Sequence, residues 1–319
     1  MRPVDGSARP FLKPWYRLTT GVDRVTLRYG GSMLELEGRA ASTLAPELLP
    51  LLDGTRTVDE IVAALGVPIR PAIEHALALL EEHGLLTEPP APELHDGGRR
   101  SAELLAATDT RGRSPRELAQ RLRDSRVAIV GRARSAEEVA RLLRLAGVAA
   151  VERADWTGPL PEATELALAA PCGDELSLLD GWNERMLDAA LPWLQLLPFD
   201  GTLAAIGPLF LPGETACHRC YRLRRAAHLP RGGDPLGPGT YPSAPALDAV
   251  QAGLTATVAL RRLADAGGLD AGVLIALEAA PELTLTRHVV YRVPRCPACS
   301  PARAEAVLSP WHEESAVAA

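Results

Sequence analysis

The chain has 319 residues, a net charge of −6, and 47 % hydrophobic against 23 % charged residues. That length has room for two domains with a core each, and the acidic balance excludes a general electrostatic attraction to nucleic acid or anionic lipid. Lys13 is the only lysine, which limits the chemistry the rest of the chain can carry. The first fourteen residues contain no apolar signal core, and no apolar run reaches the ~18 residues of a membrane span. A cytoplasmic, reducing location is therefore expected, where paired cysteines point to metal rather than disulfides.

Residues 11–88 read as one unit. Val25, Leu27 and Tyr29 alternate with Thr26 and Arg28, the period-2 signature of a half-buried strand. Gly30-Gly31 makes a turn into a second alternating stretch, Ser32–Glu37, giving a hairpin. A helix is expected over 42–52, stopped at Asp53-Gly54. Thr57 then caps a second helix, with Glu60 three residues on forming a capping box and Gly66 ending it. A third helix over 70–83 carries Ile69, Ile73, Leu77 and Leu80 on one face and stops at Gly84. Two strands followed by three helices form a winged-helix pattern.

Pro89-Pro90-Ala91-Pro92 and Gly97-Gly98-Arg99-Arg100 read as a linker over 91–115, interrupted at most by a short helix near 102–107. From 116 onward strands and helices alternate: strands at 127–130, 148–151, 165–170, 193–197 and 203–206, and helices over 135–146, 176–190 and 247–266. That order implies a mostly parallel α/β sheet.

Cys217-His218-Arg219-Cys220 and Cys296-Pro297-Ala298-Cys299 leave Cys172 as the one cysteine over. Two such knuckles can present four thiolates tetrahedrally to Zn2+, with no open position, so the site would be structural. His218 and His288 lie near these pairs and are read as surface or packing residues. The basic run 219–231 is read as a solvated helix.

The segment 127–147 is strand, glycine, helix. Against G-x-G-x-x-G it offers Gly131, Ala133 and Ala136, so the methyl of Ala133 obstructs the approach of backbone to phosphate. Glu137 and Glu138 in the first helical turn repel it as well.

Two resemblances follow from these residues. The stretch from Leu52 through Leu65 (LDGTRTVDEIVAAL), followed by Leu79-Leu80-Glu81-Glu82-His83-Gly84-Leu85-Leu86, resembles the PqqD-like recognition element of ribosomal-peptide (RiPP) biosynthesis. Residues 126–300 resemble the ThiF/MoeB superfamily of adenylating enzymes, through Val127 to Gly131, Pro171-Cys172-Gly173-Asp174 and the paired C-x-x-C knuckles. The combination is similar to the leader-peptide-binding partner of thiazole/oxazole-modified (TOMM) and thiopeptide pathways. The resemblance implies a non-catalytic chain, not itself an enzyme, that binds a precursor leader peptide and delivers it to a separate ATP-using YcaO-type cyclodehydratase; a homodimer stays open. It also implies that the leader adds as a strand beside Ser32, Met33, Leu34, Glu35, Leu36 and Glu37 and lies against Arg70, Ile73, Glu74 and Leu77 of the third helix. The periodicity of Leu34, Leu36, Ile73 and Leu77 is also that of helix–sheet packing.

Two rivals remain. Asp174 matches the magnesium-associated aspartate of the adenylating enzymes, although their phosphate lysine has no counterpart here, and an aspartate capping the following helix explains it as well. A winged helix can also bind DNA, but the third helix has one Arg and three Glu, a poor phosphate binder.

Overall fold

A computed structural model describes residues 5–229, 236–237, 239–266, 271–278 and 282–300. The chain divides into two compact units. The first comprises the residues up to Asp124 with short pieces at 145–147 and 264–268, and the second the remainder.

In the first unit, β1 (Phe11–Leu12) is followed by β2 (Arg17–Thr20), β3 (Arg24–Tyr29) and β4 (Ser32–Glu37). The last three form an antiparallel sheet in that order, with Arg24 opposite Glu37 and Tyr29 opposite Ser32. Gly30, at φ +56°, supplies the left-handed residue that this tight turn requires. The expected helix over 42–52 is instead broken into α1 (Arg39–Thr43), α2 (Ala45–Leu48) and a 3-10 turn over Leu49–Leu51. Pro46 and Pro50 explain the breaks, because each sits where only the first turn of a new helix tolerates it.

α3 (Val58–Leu65) begins as its sequence dictates. Glu60 N–H donates to Thr57 Oγ1 at 3.2 Å, and Thr57 N–H donates to Glu60 Oε2 at 2.7 Å. α4 (Arg70–Glu82) follows, and β5 (Leu86–Thr87) returns to pair with β1. The alternating face of β3 and the apolar faces of α3 and α4 meet in one core of Val25, Leu27, Ile61, Val62, Ile73 and Leu77. Each of these contributes roughly 1.5–3 kcal/mol by leaving water.

The stretch expected as a linker contains α5 (Asp96–Thr108), which is followed by α6 (Pro115–Asp124). Gly97 and Gly98 sit in the first turn of α5, not in a flexible loop. A Cβ on Gly97 would come within 2.4 Å of the Leu145 carbonyl oxygen, so the glycine permits a close approach that outweighs its low helix propensity. His95 Nδ1 accepts the Gly98 N–H at 3.2 Å, and Arg99 and Arg100 both pair with Asp96. Ala102, Leu105 and Ala106 are buried, and Tyr29 Oη donates to the Ala107 carbonyl at 3.3 Å.

The second unit is built on β6 (Arg126–Val130), α7 (Arg134–Leu145), β7 (Ala150–Arg153), β8 (Leu166–Ala169), α8 (Leu179–Asp188), β9 (Trp193–Leu197), β10 (Leu203–Phe210), α9 (His218–Ala227), α10 (Pro245–Leu263), β11 (Val273–Glu278) and β12 (Thr284–Val289). The seven strands form one sheet in the order β12-β11-β10-β9-β8-β6-β7. The β7-β6-β8-β9 part is parallel, as expected, but the β9-β10, β10-β11 and β11-β12 pairings are antiparallel. The connections at 198–202 and 279–283 are too short for a crossover, so those neighbours can only run back on themselves. Trp182, Trp193, Phe210 and Tyr221 are all buried in the core around the central strands.

Among the described residues no single helix is long and apolar enough to cross a membrane.

Candidate peptide edge, metal centre and strand-end cavity

β4 is the last strand of its sheet and is paired only with β3 among the described residues, so its other main-chain edge is open. Along it Leu34 and Leu36 are half-buried against the core, while Ser32, Met33, Glu35 and Glu37 are exposed. Glu35 lies 4.0 Å from Arg24. On α4, Ile73 and Leu77 are 0 % and 2 % exposed, and both pack in the apolar core of this unit. Arg70 donates to Asp59 at 2.6 Å and to Glu74 at 3.3 Å. The guanidinium of the one arginine on this helix is therefore already shared between two carboxylates.

The four cysteines of the two knuckles converge. Sγ of Cys217 lies 3.9 Å from that of Cys220 and 3.7 Å from that of Cys296, and Cys220 lies 3.6 Å from Cys299. All four sulfurs fall within 4.8 Å of one another. Tetrahedral bonds of roughly 2.3 Å place sulfurs about 3.8 Å apart, so the cluster is dimensioned for a four-coordinate metal ion. Cys220 is biased toward thiolate by a hydrogen bond from the Cys217 thiol and then by the Val293 N–H at 3.3 Å.

Behind the cluster, His218 is fully buried. Its N–H donates to Asn183 Oδ1 at 3.0 Å, and its Nδ1 lies 2.8 Å from Gln195 Oε1 on β9. The imidazole also packs among the rings of Trp193, Phe210 and Tyr221. Thus one knuckle is fastened to the middle of the sheet. His288 is exposed on β12. The basic run forms α9 as far as Ala227, with Arg219 and Arg222 on Asp180 and Arg225 on Asp200; Arg231 lies outside the described residues.

A cavity of about 480 Å³ opens at the C-terminal ends of the parallel strands, lined in part by Arg132, Ser135, Cys172, Asp174 and Tyr241. Open α/β sheets place their ligands at this position. Gly131 is required here: its φ is +94°, and a Cβ would meet the Ala170 carbonyl oxygen at 2.1 Å.

Glu175, which sequence reasoning passed over, organises the site. Its Oε2 accepts the N–H of Arg132 at 2.8 Å and that of Cys172 at 3.0 Å, and its Oε1 accepts Arg132 Nε at 3.0 Å and Trp156 Nε1–H at 3.1 Å. Burial alone would raise its pKa, but the hydrogen bonds from Cys172, Arg132 and Trp156 outweigh it and hold the carboxyl near 2. Asp174 does not cap the following turn, as the sequence suggested. It is largely exposed, pairs with Arg132 at 2.6 Å and accepts from the Cys172 thiol at 2.8 Å. The capping carboxylate is Glu175, and the spacing Cys172-x-x-Glu175 was the available signal. Burial and then the neighbouring Asp174 and Glu175 push the Cys172 thiol up to about 12, so it is no nucleophile at neutral pH.

No family model and no curated protein matches this chain. Solved structures do match its fold. The structure of the heterocyclase TruD is 24 % identical with a TM-score of 0.67, over 92 % of this chain and 43 % of that one. A heterocyclase in complex with substrate and cofactor is 22 % identical with a TM-score of 0.68, over 92 % and 40 %. Escherichia coli MccB with ATP is 14 % identical with a TM-score of 0.59, over 91 % and 99 %. The chain thus spans about two fifths of the heterocyclases and nearly all of MccB. These likenesses correct the expectation of a non-enzyme: solved proteins that share this fold across nine tenths of its length include a heterocyclase and a microcin C7 biosynthetic enzyme.

Proposed function

We propose that this chain is the precursor-engaging part of an ATP-dependent heterocyclase of RiPP biosynthesis. The first unit is a PqqD-like winged helix that holds a leader peptide as an added strand on β4. The second is a ThiF-like domain whose four cysteines hold structural zinc. A YcaO-type cyclodehydratase supplies the portion of a heterocyclase that this sequence does not span, and closes Cys, Ser or Thr side chains into azolines.

The observation that carries this reading is the open edge of β4. Six residues in strand geometry offer main-chain donors and acceptors on one side, and the half-buried Leu34 and Leu36 supply apolar footing beside them. Main-chain pairing provides affinity and the flanking side chains provide register. The exposed Met33, Glu35 and Glu37 then set specificity, while Ile73 and Leu77 serve by packing the strand against its helix.

The test is a titration of the intact protein with a fluorescein-labelled leader from the precursor gene neighbouring its own. Saturable binding, lowered at least about tenfold by Leu34→Asp, is expected. Equal binding by the variant overturns the β4 assignment.

A second reading is an adenylating enzyme of the ThiF/MoeB type, favoured by the 480 Å³ cavity at the strand ends and by the fold shared with MccB. Against it, Glu175 already accepts the Arg132 amide at the loop where a phosphate would approach. Peptide-stimulated ATP–pyrophosphate exchange by the chain alone would establish this reading over the first.

A further inference from the structure

Two segments of the second unit, distant in sequence, are rich in basic groups and lack acids. Residues 218–228 contain four arginines and two histidines, residues 287–295 contain three arginines and one histidine, and neither has an Asp or Glu, in a chain of net charge −6. The fold joins them. Arg224 on α9 donates through Nε to the Tyr291 carbonyl at 2.5 Å and through Nη2 to the Arg292 carbonyl at 2.8 Å. Arg292 Nε in turn donates to the Thr215 carbonyl at 2.8 Å.

Between α9 and the end of β12 lies a cavity of about 390 Å³. Leu203, Tyr221, Leu274 and Val290 make it apolar, while Arg224, Arg225, His228 and His288 also face it. Arg225 is neutralised by Asp200. Arg224 is bound to carbonyl oxygens and to no carboxylate among the described residues, and His228 is exposed. A cavity with an apolar wall, an arginine bound to no carboxylate and two imidazoles able to hydrogen-bond fits a ligand that carries a hydrophobic side chain beside carboxylates.

The adjoining strand says what kind of molecule carries them. β12 is terminal in its sheet and is bonded only to β11 among the described residues. It exposes Leu285 and Val289 to more than half of their surface, so it lacks most of the protection that edge strands normally have. An open main-chain edge is complementary to another polypeptide. A nucleic-acid strand has no amides to pair with it.

We propose that the β12 edge and the neighbouring cavity form a docking site for an extended, acidic segment of a partner protein. The segment adds beside β12, an aromatic or aliphatic side chain enters the cavity, and carboxylates meet Arg224, His228 and His288. This site is separate from β4 and stands whether or not β4 binds a leader.

The probe is a fluorescein-labelled octapeptide of two Glu-Glu-Phe-Phe repeats, which carries both residue types on each face of a strand, titrated into the intact protein. Replacing its glutamates by lysine, or methylating alternate backbone nitrogens, is expected to weaken binding at least about tenfold each. The doubly substituted His228→Glu, His288→Glu protein, both positions exposed, is expected to lose a similar factor with its metal content and circular dichroism unchanged. Binding indifferent to peptide charge or to N-methylation overturns the proposal. So does displacement of the peptide by a single-stranded oligonucleotide that is sensitive to the same two substitutions, which would make the patch a nucleic-acid site.

Discussion

β4 in the first unit and β12 in the second each stand at one end of a sheet, with one side unpaired among the described residues, and the two are dressed differently. β4 carries Glu35 and Glu37 on its exposed face, while β12 carries Arg287 and His288. They are also supported differently. β4 rests on an apolar core that it shares with α3 and α4. The chain leaving β12 is fixed by the Val293 N–H on Cys220 and by Cys296 and Cys299 in the cysteine cluster. One is thus backed by apolar packing and the other adjoins the cysteine cluster.

That difference can be broken from either side. The largest effect is expected from the metal. Cys296→Ser should abolish binding of one zinc per chain, measured by metal analysis, and cost about 5 kcal/mol or more in the second unit. Hydrogen exchange should rise at 284–293 while 24–37 stays protected. The reverse separation is expected from Ile73→Ala. This fully buried side chain should cost about 3 kcal/mol in the first unit by denaturant unfolding, with metal content unchanged. If Ile73 were a ligand contact instead, leader affinity would fall without loss of stability.

A third test is acid. Glu175 is held near pH 2, below its ordinary 4.5, so its stabilisation is complete above about pH 4.5 and drains as pH falls toward 2. The full effect is about 3 kcal/mol. Glu175→Gln should flatten this part of the stability–pH curve for the second unit and leave β4 untouched. The smallest effect is expected at the α3 cap, where Thr57→Ala should lower the first unit by about 1 kcal/mol, measured by urea unfolding.

What could be read in the sequence divides between local signals and tertiary ones. The Thr57–Glu60 capping box, the turn at Gly30-Gly31 and the alternation of β3 and β4 are local signals, and each forms as its residues dictate. The paired C-x-x-C knuckles were legible because their spacing fixes the chemistry even across the 79 positions separating Cys217 from Cys296. Tertiary facts were not legible. The glycines of α5 looked like linker until Leu145 was placed against Gly97. The role of Glu175 depends on Arg132, 43 positions away, and on Trp156, 19 away. β11 is a short buried apolar run that periodicity alone does not separate from a helix, and β12 is exposed on both faces, leaving little amphipathic contrast.

Backbone hydrogen exchange of the intact protein, with and without the labelled leader, tests the central claim most directly. Amides of residues 32–37 are expected to slow at least about tenfold on binding, with 284–289 unchanged. A leader that binds and leaves 32–37 exchanging at the free rate would contradict the account.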